Sequence, residues 1–368
     1  MNRFLKLLTY AVLVLLVIAL ITGYISTRNS VVVPHIKMGS SEAQPLIATH
    51  AFPFERGTAM ITVPVNAAVY QGAKTADKSV SIYGNISENV WVADSYRAMV
   101  TDPAQDQFYT DLIGEFRKIK DQQGLSDDEY LELMSVYTQS IIYETTRDNP
   151  AKYPVEVVVE GSGDCDDKSL LLAGLLSHEG YKVALLSFDP ESHMAVGIGS
   201  DDMPYKNTGY SYIETTDVSF VGVPPDTLRG GVTLTSDPLV IPIGNGTKTY
   251  HSGKQVQYIQ DVGNQSFQQV SGLEPQVKTL ESDLNTKQSR ITALESQMQI
   301  QKNSGNISGY NAQVSVHNAL VSEYNAELAS YRQLYSRYET FAGIYNYILR
   351  HQYDRKGVYE YLKANVPS

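Results

Sequence analysis

Cys165 is the only cysteine in a chain of 368 residues, and it stands in the run Gly161-Ser162-Gly163-Asp164-Cys165-Asp166-Asp167-Lys168-Ser169. Downstream come His193 on one strand-like run and Glu214 on another. A thiol, an imidazole and a carboxylate in that order are the parts of a nucleophile activated by an oriented base. An apolar, helix-like stretch with Leu170, Leu171, Leu172, Leu175 and Leu176 follows the cysteine, which places the thiol at or near a helix N-terminus. Unpaired backbone N–H groups and the positive end of the helix dipole favour the thiolate there. The competing reading of a lone cysteine is inert core packing. The flanking Asp164, Asp166 and Asp167 argue against it, because buried carboxylates are costly unless paired; they predict a surface cleft. Their charge also raises a thiol's pKa, so activation falls to the helix end and to His193.

The elements that must position these residues can be read from the pattern. Residues 29–98 show short alternating runs, such as Ala59 to Val65 and Val80 to Tyr83, which predict a β-rich region or stalk. Helices take over near Asp102, with Pro103 in the first turn and Phe108, Leu112, Phe116 and Ile119 at helical spacing up to Gly124. Ser126 and Glu129 form a capping box for a second helix, which Asp148-Asn149-Pro150 is expected to end. The Cys165 helix stops at Gly180, and β runs follow at Tyr181 to Phe188, His193 to Ile198 and Tyr210 to Thr216. Helices followed by neighbouring strands describe an α+β fold with an antiparallel sheet, over residues 99–263.

The character changes after that. Leu273, Val277, Leu280, Leu284, Lys287, Ile291, Leu294 and Met298 alternate by four and three. After a turn-forming stretch from Asn303 to Gly309 the seam resumes at Val314, His317, Val321, Tyr324, Leu328, Tyr331, Tyr335, Tyr338, Ala342, Tyr345 and Leu349. The pattern predicts an antiparallel coiled-coil hairpin over 264–352, with 353–368 as a tail. Its seam is satisfied by its own two helices, so oligomerisation through it is open but not required.

Leu7 to Ile25 is an apolar run of 19 residues, enough to span a hydrocarbon core of roughly 30 Å. Arg3 and Lys6 precede it, so residues 1–28 read as an uncleaved transmembrane signal anchor with a cytoplasmic N-terminus and the bulk of the chain outside. Sequons at Asn85, Asn245, Asn264 and Asn306 suit a glycoprotein on that side of the membrane. One cysteine excludes an intrachain disulfide. The net charge of −11 argues against nucleic acid as a partner.

Residues 137–225 resemble the transglutaminase-like (papain-fold) superfamily, nearest to its extracytoplasmic, membrane-anchored archaeal and bacterial members. The resemblance rests on Tyr153-Pro-Val-Glu156, Gly163-Asp-Cys-Asp-Asp167, Leu171-Leu-Ala-Gly-Leu-Leu176, His193-Met-Ala-Val196 and Tyr212-Ile-Glu-Thr-Thr216. It implies a papain-like core, Cys165 as nucleophile, His193 as general base and Glu214 where the family usually has an aspartate. It also associates Asp164, Asp166 and Asp167 with calcium, as an allowed ligand rather than a required cofactor. Gln139, on the preceding helix, is the candidate oxyanion donor. Read this way, the protein is a cysteine enzyme that acts on amide bonds of a protein or peptide substrate through a thioester, with hydrolysis (protease or amidase) favoured over cross-linking. The alternative is a catalytically inactive surface scaffold that uses the same domain for binding.

Overall fold

Apolar side chains with a period of two, then of 3.6, organise the chain into ten strands and ten α-helices among the residues described, which are 2–28, 30–39, 44–145 and 150–366 of a computed structural model. In chain order they are α1 (Asn2–Arg28), β1 (Ser30–Val32), β2 (Leu46–Phe54), β3 (Gly57–Val65), α2 (Ala67–Lys74), β4 (Ser81–Tyr83), α3 (Glu88–Val100), α4 (Asp106–Gln123), α5 (Asp127–Ser140) and β5 (Ile142–Tyr143). Then come α6 (Pro154–Glu160), β6 (Ser162–Gly163), α7 (Cys165–His178), β7 (Val183–Phe188), β8 (His193–Gly199), β9 (Tyr210–Ile213), β10 (Leu239–Ile243), α8 (Gly253–Asn303), α9 (Ile307–Arg350) and α10 (Arg355–Asn365). The mixture of helices with small antiparallel sheets is the α+β class. The chain divides into two compact units, Met1–Val256 and Gln257–Ser368.

The first unit is built around α7. Its residues from Asp167 to Leu176 are all buried, the condition of a helix that is covered on every side. The antiparallel sheet β10-β7-β8-β9 covers one side, and α3, α4, α5 and α6 pack around the rest. The register sets Leu185 opposite Val196 and Val196 opposite Ile213.

Residues 29–98 are not a separate stalk. In β3 the burial alternates, with Ala59, Ile61, Val63 and Val65 turned inward, and this face packs on α4 while its partner β2 packs on α5. A two-stranded hairpin is marginal alone, so its apolar face needs those helices. The same stretch also holds α2 and most of α3, helices outside the two named alternating runs.

The helix opened by the Ser126–Glu129 capping box forms, but it ends at Ser140, short of its expected terminator; Asp148 and Asn149 lie outside the described residues. Ile141 is extended, and the chain pairs with β6 at Ile142 and Tyr143. The fully buried Lys168 donates to the carbonyls of Gln139 (3.1 Å) and Ile141 (2.8 Å), a cation on the orphan acceptors of a helix C-terminus.

In the second unit, α8 and α9 form an antiparallel hairpin. Lys287, the polar exception on the seam, meets Glu327 at 2.5 Å, and His317 meets Glu295 at 3.2 Å. On α8 the buried positions Leu273, Val277, Leu284 and Ile291 fall on the expected seam. On α9 they are Leu320, Ile344 and Ile348, whereas Tyr335 and Leu349 are exposed. At these positions the buried row of α9 lies one residue before the expected seam, whose Val314, His317, Val321, Tyr324, Leu328 and Tyr331 are half-buried beside it. The expected tail is largely α10, capped by Asp354 on the Gly357 N–H at 2.7 Å, with Val358 and Leu362 buried and Tyr361 stacked on Tyr347. The boundary between the units falls at 256/257 rather than 263/264.

α1 is a continuous helix. Its side chains are described for residues 7–23, and those of Arg3, Lys6, Tyr24 and Ile25 lie outside the description. Among the described residues no helix is long and apolar enough to cross a membrane. Within residues 7–23, the Leu, Val and Ile side chains are exposed throughout.

Candidate active site

Cys165 is the first residue of α7, with Asp164 as N-cap. The glycines before it have separate tasks. Gly161 ends α6 in the left-handed region at φ 66°, and a Cβ on Gly163 would lie 2.8 Å from that of Asp167. Asp164 and Asp167 cap each other's backbone, since Asp164 Oδ1 accepts from Asp167 N (3.4 Å) and Asp167 Oδ2 from Asp164 N (3.2 Å). Asp167 Oδ1 also accepts from Lys152 N at 2.5 Å.

The antiparallel link from β7 to β8 brings the start of β8 over this helix end. Ser192 turns in the left-handed region at φ 49°, its carbonyl lies 3.9 Å from Cys165 Sγ, and the Met194 N–H faces the sulfur. Cys165 and His193 line one cleft of about 330 Å³ with Tyr96, Tyr143, Asp164, Asp166, Phe188 and Asp189. No lysine or arginine lines it among the described residues.

Glu214, just beyond β9, is buried behind His193. Its Oε2 lies 3.4 Å from His193 Nε2 and accepts from the Tyr212 hydroxyl at 2.7 Å. His193 Nε2 is 3.0 Å from that same hydroxyl. Glu214 Oε1 accepts from Thr215 N (3.0 Å), Thr216 N (2.8 Å) and Thr216 Oγ1 (2.6 Å). Burial pushes this carboxyl up, but the hydrogen bonds with His193, Thr216 and Tyr212 outweigh it and hold the pKa at about 2.

The electrostatics around the thiol run against the expected activation. Burial first, then the Asp166 charge, push Cys165 up to about 12, with Asp164 adding to them; the N–H groups of Met194 and Asp166 work in the opposite direction. Asp166 is itself pushed up by burial and by Asp164 and Asp167, and Asp167 is raised to about 6 by burial and Asp164. The helix end stabilises a thiolate less than burial and two carboxylates disfavour it.

The sequence-derived residues therefore come together unevenly. Cys165 and His193 share the cleft, and Glu214 stands behind the imidazole. Gln139 does not fit an oxyanion donor: it is buried, and its Nε2 donates to the carbonyls of Glu214 (2.8 Å) and Ser219 (3.1 Å). The amide tethers the Glu214 turn to α5. At the sulfur itself, the Met194 and Asp166 N–H groups are the donors. Ligand atoms of Asp164, Asp166 and Asp167 lie within 4.8 Å of one another, but two of these carboxylates serve as helix caps, short of the six to eight oxygens that calcium takes. Tyr212 escaped the sequence reading, although its place two residues before Glu214 puts both on one face of the strand. The chain matches no family model, no curated protein and no solved structure.

Proposed function

We propose that the protein is a membrane-anchored, extracytoplasmic cysteine enzyme of transglutaminase-like type that cleaves amide bonds of a protein or peptide. The observation that carries this reading is the cleft shared by Cys165 and His193, with the buried, ionised Glu214 behind the imidazole. In this reaction the Cys165 proton passes to the His193 nitrogen that does not face Tyr212, and Sγ bonds to the substrate carbonyl carbon. The carbon–nitrogen bond then breaks as the imidazolium protonates the leaving amine, leaving a thioester. Water attacks the thioester and releases the acid. Because the thiol is pushed up to about 12, His193 acts here as a base during attack rather than as the partner of a resting thiolate.

The acidic lining of the cleft favours substrates with a positive charge near the scissile amide. No step of this reaction uses calcium. The exposed apolar side chains of α1 support its role as anchor. A second reading, an inactive binding module, is favoured by the same raised thiol.

Alkylation of Cys165 by iodoacetamide across pH, in the native chain and in His193→Ala, separates the two. The enzyme reading expects the variant to lose reactivity at neutral pH by about 10²-fold or more, the usual contribution of an oriented base. Slow alkylation that is unchanged in the variant would overturn it and leave the binding module.

A further inference from the structure

Glu214 departs from the shorter aspartate of the resemblance, and the way its extra methylene is used leaves a gap. Three donors of the following turn, Thr215 N, Thr216 N and Thr216 Oγ1, hold Oε1 at 2.6–3.0 Å. So anchored, the carboxylate offers only Oε2 to the imidazole, at 3.4 Å, longer than the 2.7–3.2 Å of an ordinary N–H···O bond. The Tyr212 hydroxyl fills that gap, at 2.7 Å from Oε2 and 3.0 Å from His193 Nε2.

We propose that Tyr212 is the positioning residue that couples Glu214 to His193, making the base a relay of imidazole, phenol and carboxylate. This rests on the enzyme reading above. A phenol has one proton, and beside an ionised carboxylate it donates that proton to Oε2. Its oxygen can then only accept from His193, so Nε2 carries the imidazole hydrogen. Nδ1 is left as the basic nitrogen. The ring of Tyr212 is fully buried, with Tyr205 at 5.4 Å and Phe188 at 6.4 Å between centroids, which fixes the hydroxyl in place. The relay orders His193 where the direct carboxylate contact, at 3.4 Å, is long, and it explains how a glutamate tied to its own turn can still serve an imidazole.

Two measurements test this on the full chain in detergent micelles. Long-range ¹H–¹⁵N spectra of histidine-labelled protein, at a pH of about 8 where ordinary imidazoles are neutral, read the His193 tautomer, with His193→Ala assigning its signals. The inference expects the Nε2–H form in the native chain; an Nδ1–H form there overturns it without any variant of Tyr212. Tyr212→Phe keeps the ring and removes the hydroxyl, and is expected to mix the tautomers and slow Cys165 alkylation by roughly tenfold or more, as for loss of a hydrogen bond to a charged group. Native tautomer and native alkylation in Tyr212→Phe would overturn the inference. If His193→Ala slows alkylation and Tyr212→Phe does not, the relay falls and the enzyme reading stands. If neither slows it, the enzyme reading falls first.

Discussion

At Cys165 the opposing effects have different remedies. Burial belongs to the cleft, but the Asp166 charge can be removed alone. Asp166→Asn is expected to lower the thiol pKa from about 12, and each unit of lowering raises the thiolate fraction tenfold at a fixed pH below it. Stopped-flow alkylation at pH 8 should therefore be faster in the variant, and an equal or slower rate would mean that Asp166 does not act on the thiol. Glu214 gives a test of the opposite sign. Its carboxyl is held at about 2 against an ordinary 4.5. This contribution is fully present above about pH 4.5 and is lost as pH falls through 2, and it amounts to about 3 kcal/mol. Asp167, raised to about 6, works the other way between pH 6 and 3.8, so the quantity to compare is native chain minus Glu214→Gln. Urea midpoints at pH 7 and pH 3.5 should draw together between the two proteins as pH falls; a constant gap would mean that Glu214 is not the acid-sensitive group.

At the scale of elements, α7 was legible and its surroundings were not. The leucines after Cys165 and the capping aspartates mark a helix start by local rules alone. Nothing local marks Gly174 as the place where another helix must approach. A Cβ there would lie 2.1 Å from the Tyr109 hydroxyl and 2.5 Å from its ring, and Tyr109 is fully buried with its hydroxyl on the Val100 carbonyl. Gly174→Ala, a favourable change for an isolated helix, is therefore expected to cost about 1–3 kcal/mol by overpacking, read as a fall in the thermal midpoint. An unchanged or raised midpoint would show that Tyr109 can move aside. The same limit explains the other differences. The end of α5 at Ser140 depends on Lys168 and on pairing with β6, and the use of Gln139 depends on two carbonyls some 75 to 80 residues away in sequence. The α8 seam was readable because both its period and its partner are nearby in sequence, whereas on α9 the buried Leu320, Ile344 and Ile348 stand one residue before the expected positions.

For the whole molecule, the exposed apolar side chains of α1 stand against a surface otherwise kept soluble by a net charge of −11. The twelve Leu, Ile and Val residues between Leu7 and Ile25 each favour bilayer insertion by roughly 0.3–0.6 kcal/mol. Their sum of several kcal/mol exceeds what the two threonines, two tyrosines and one glycine of the run can oppose. Electrostatic adhesion is a poor substitute for such an anchor, because an acidic protein is repelled by anionic lipid. The full chain is therefore expected to stay with membranes through an alkaline carbonate wash, which strips proteins held by charge. A chain beginning at Ser30 should remain in the supernatant with native Cys165 alkylation, since α7, the sheet β10-β7-β8-β9 and the helices packed around them all lie between Ser30 and Val256. Release of the full chain by carbonate would mean that α1 lies against protein rather than in lipid. Loss of Cys165 reactivity in the shortened chain would mean that α1 supports the cleft. Retention of the full chain together with unchanged reactivity would assign α1 to anchoring alone and leave the chemistry to the α7–β8 junction.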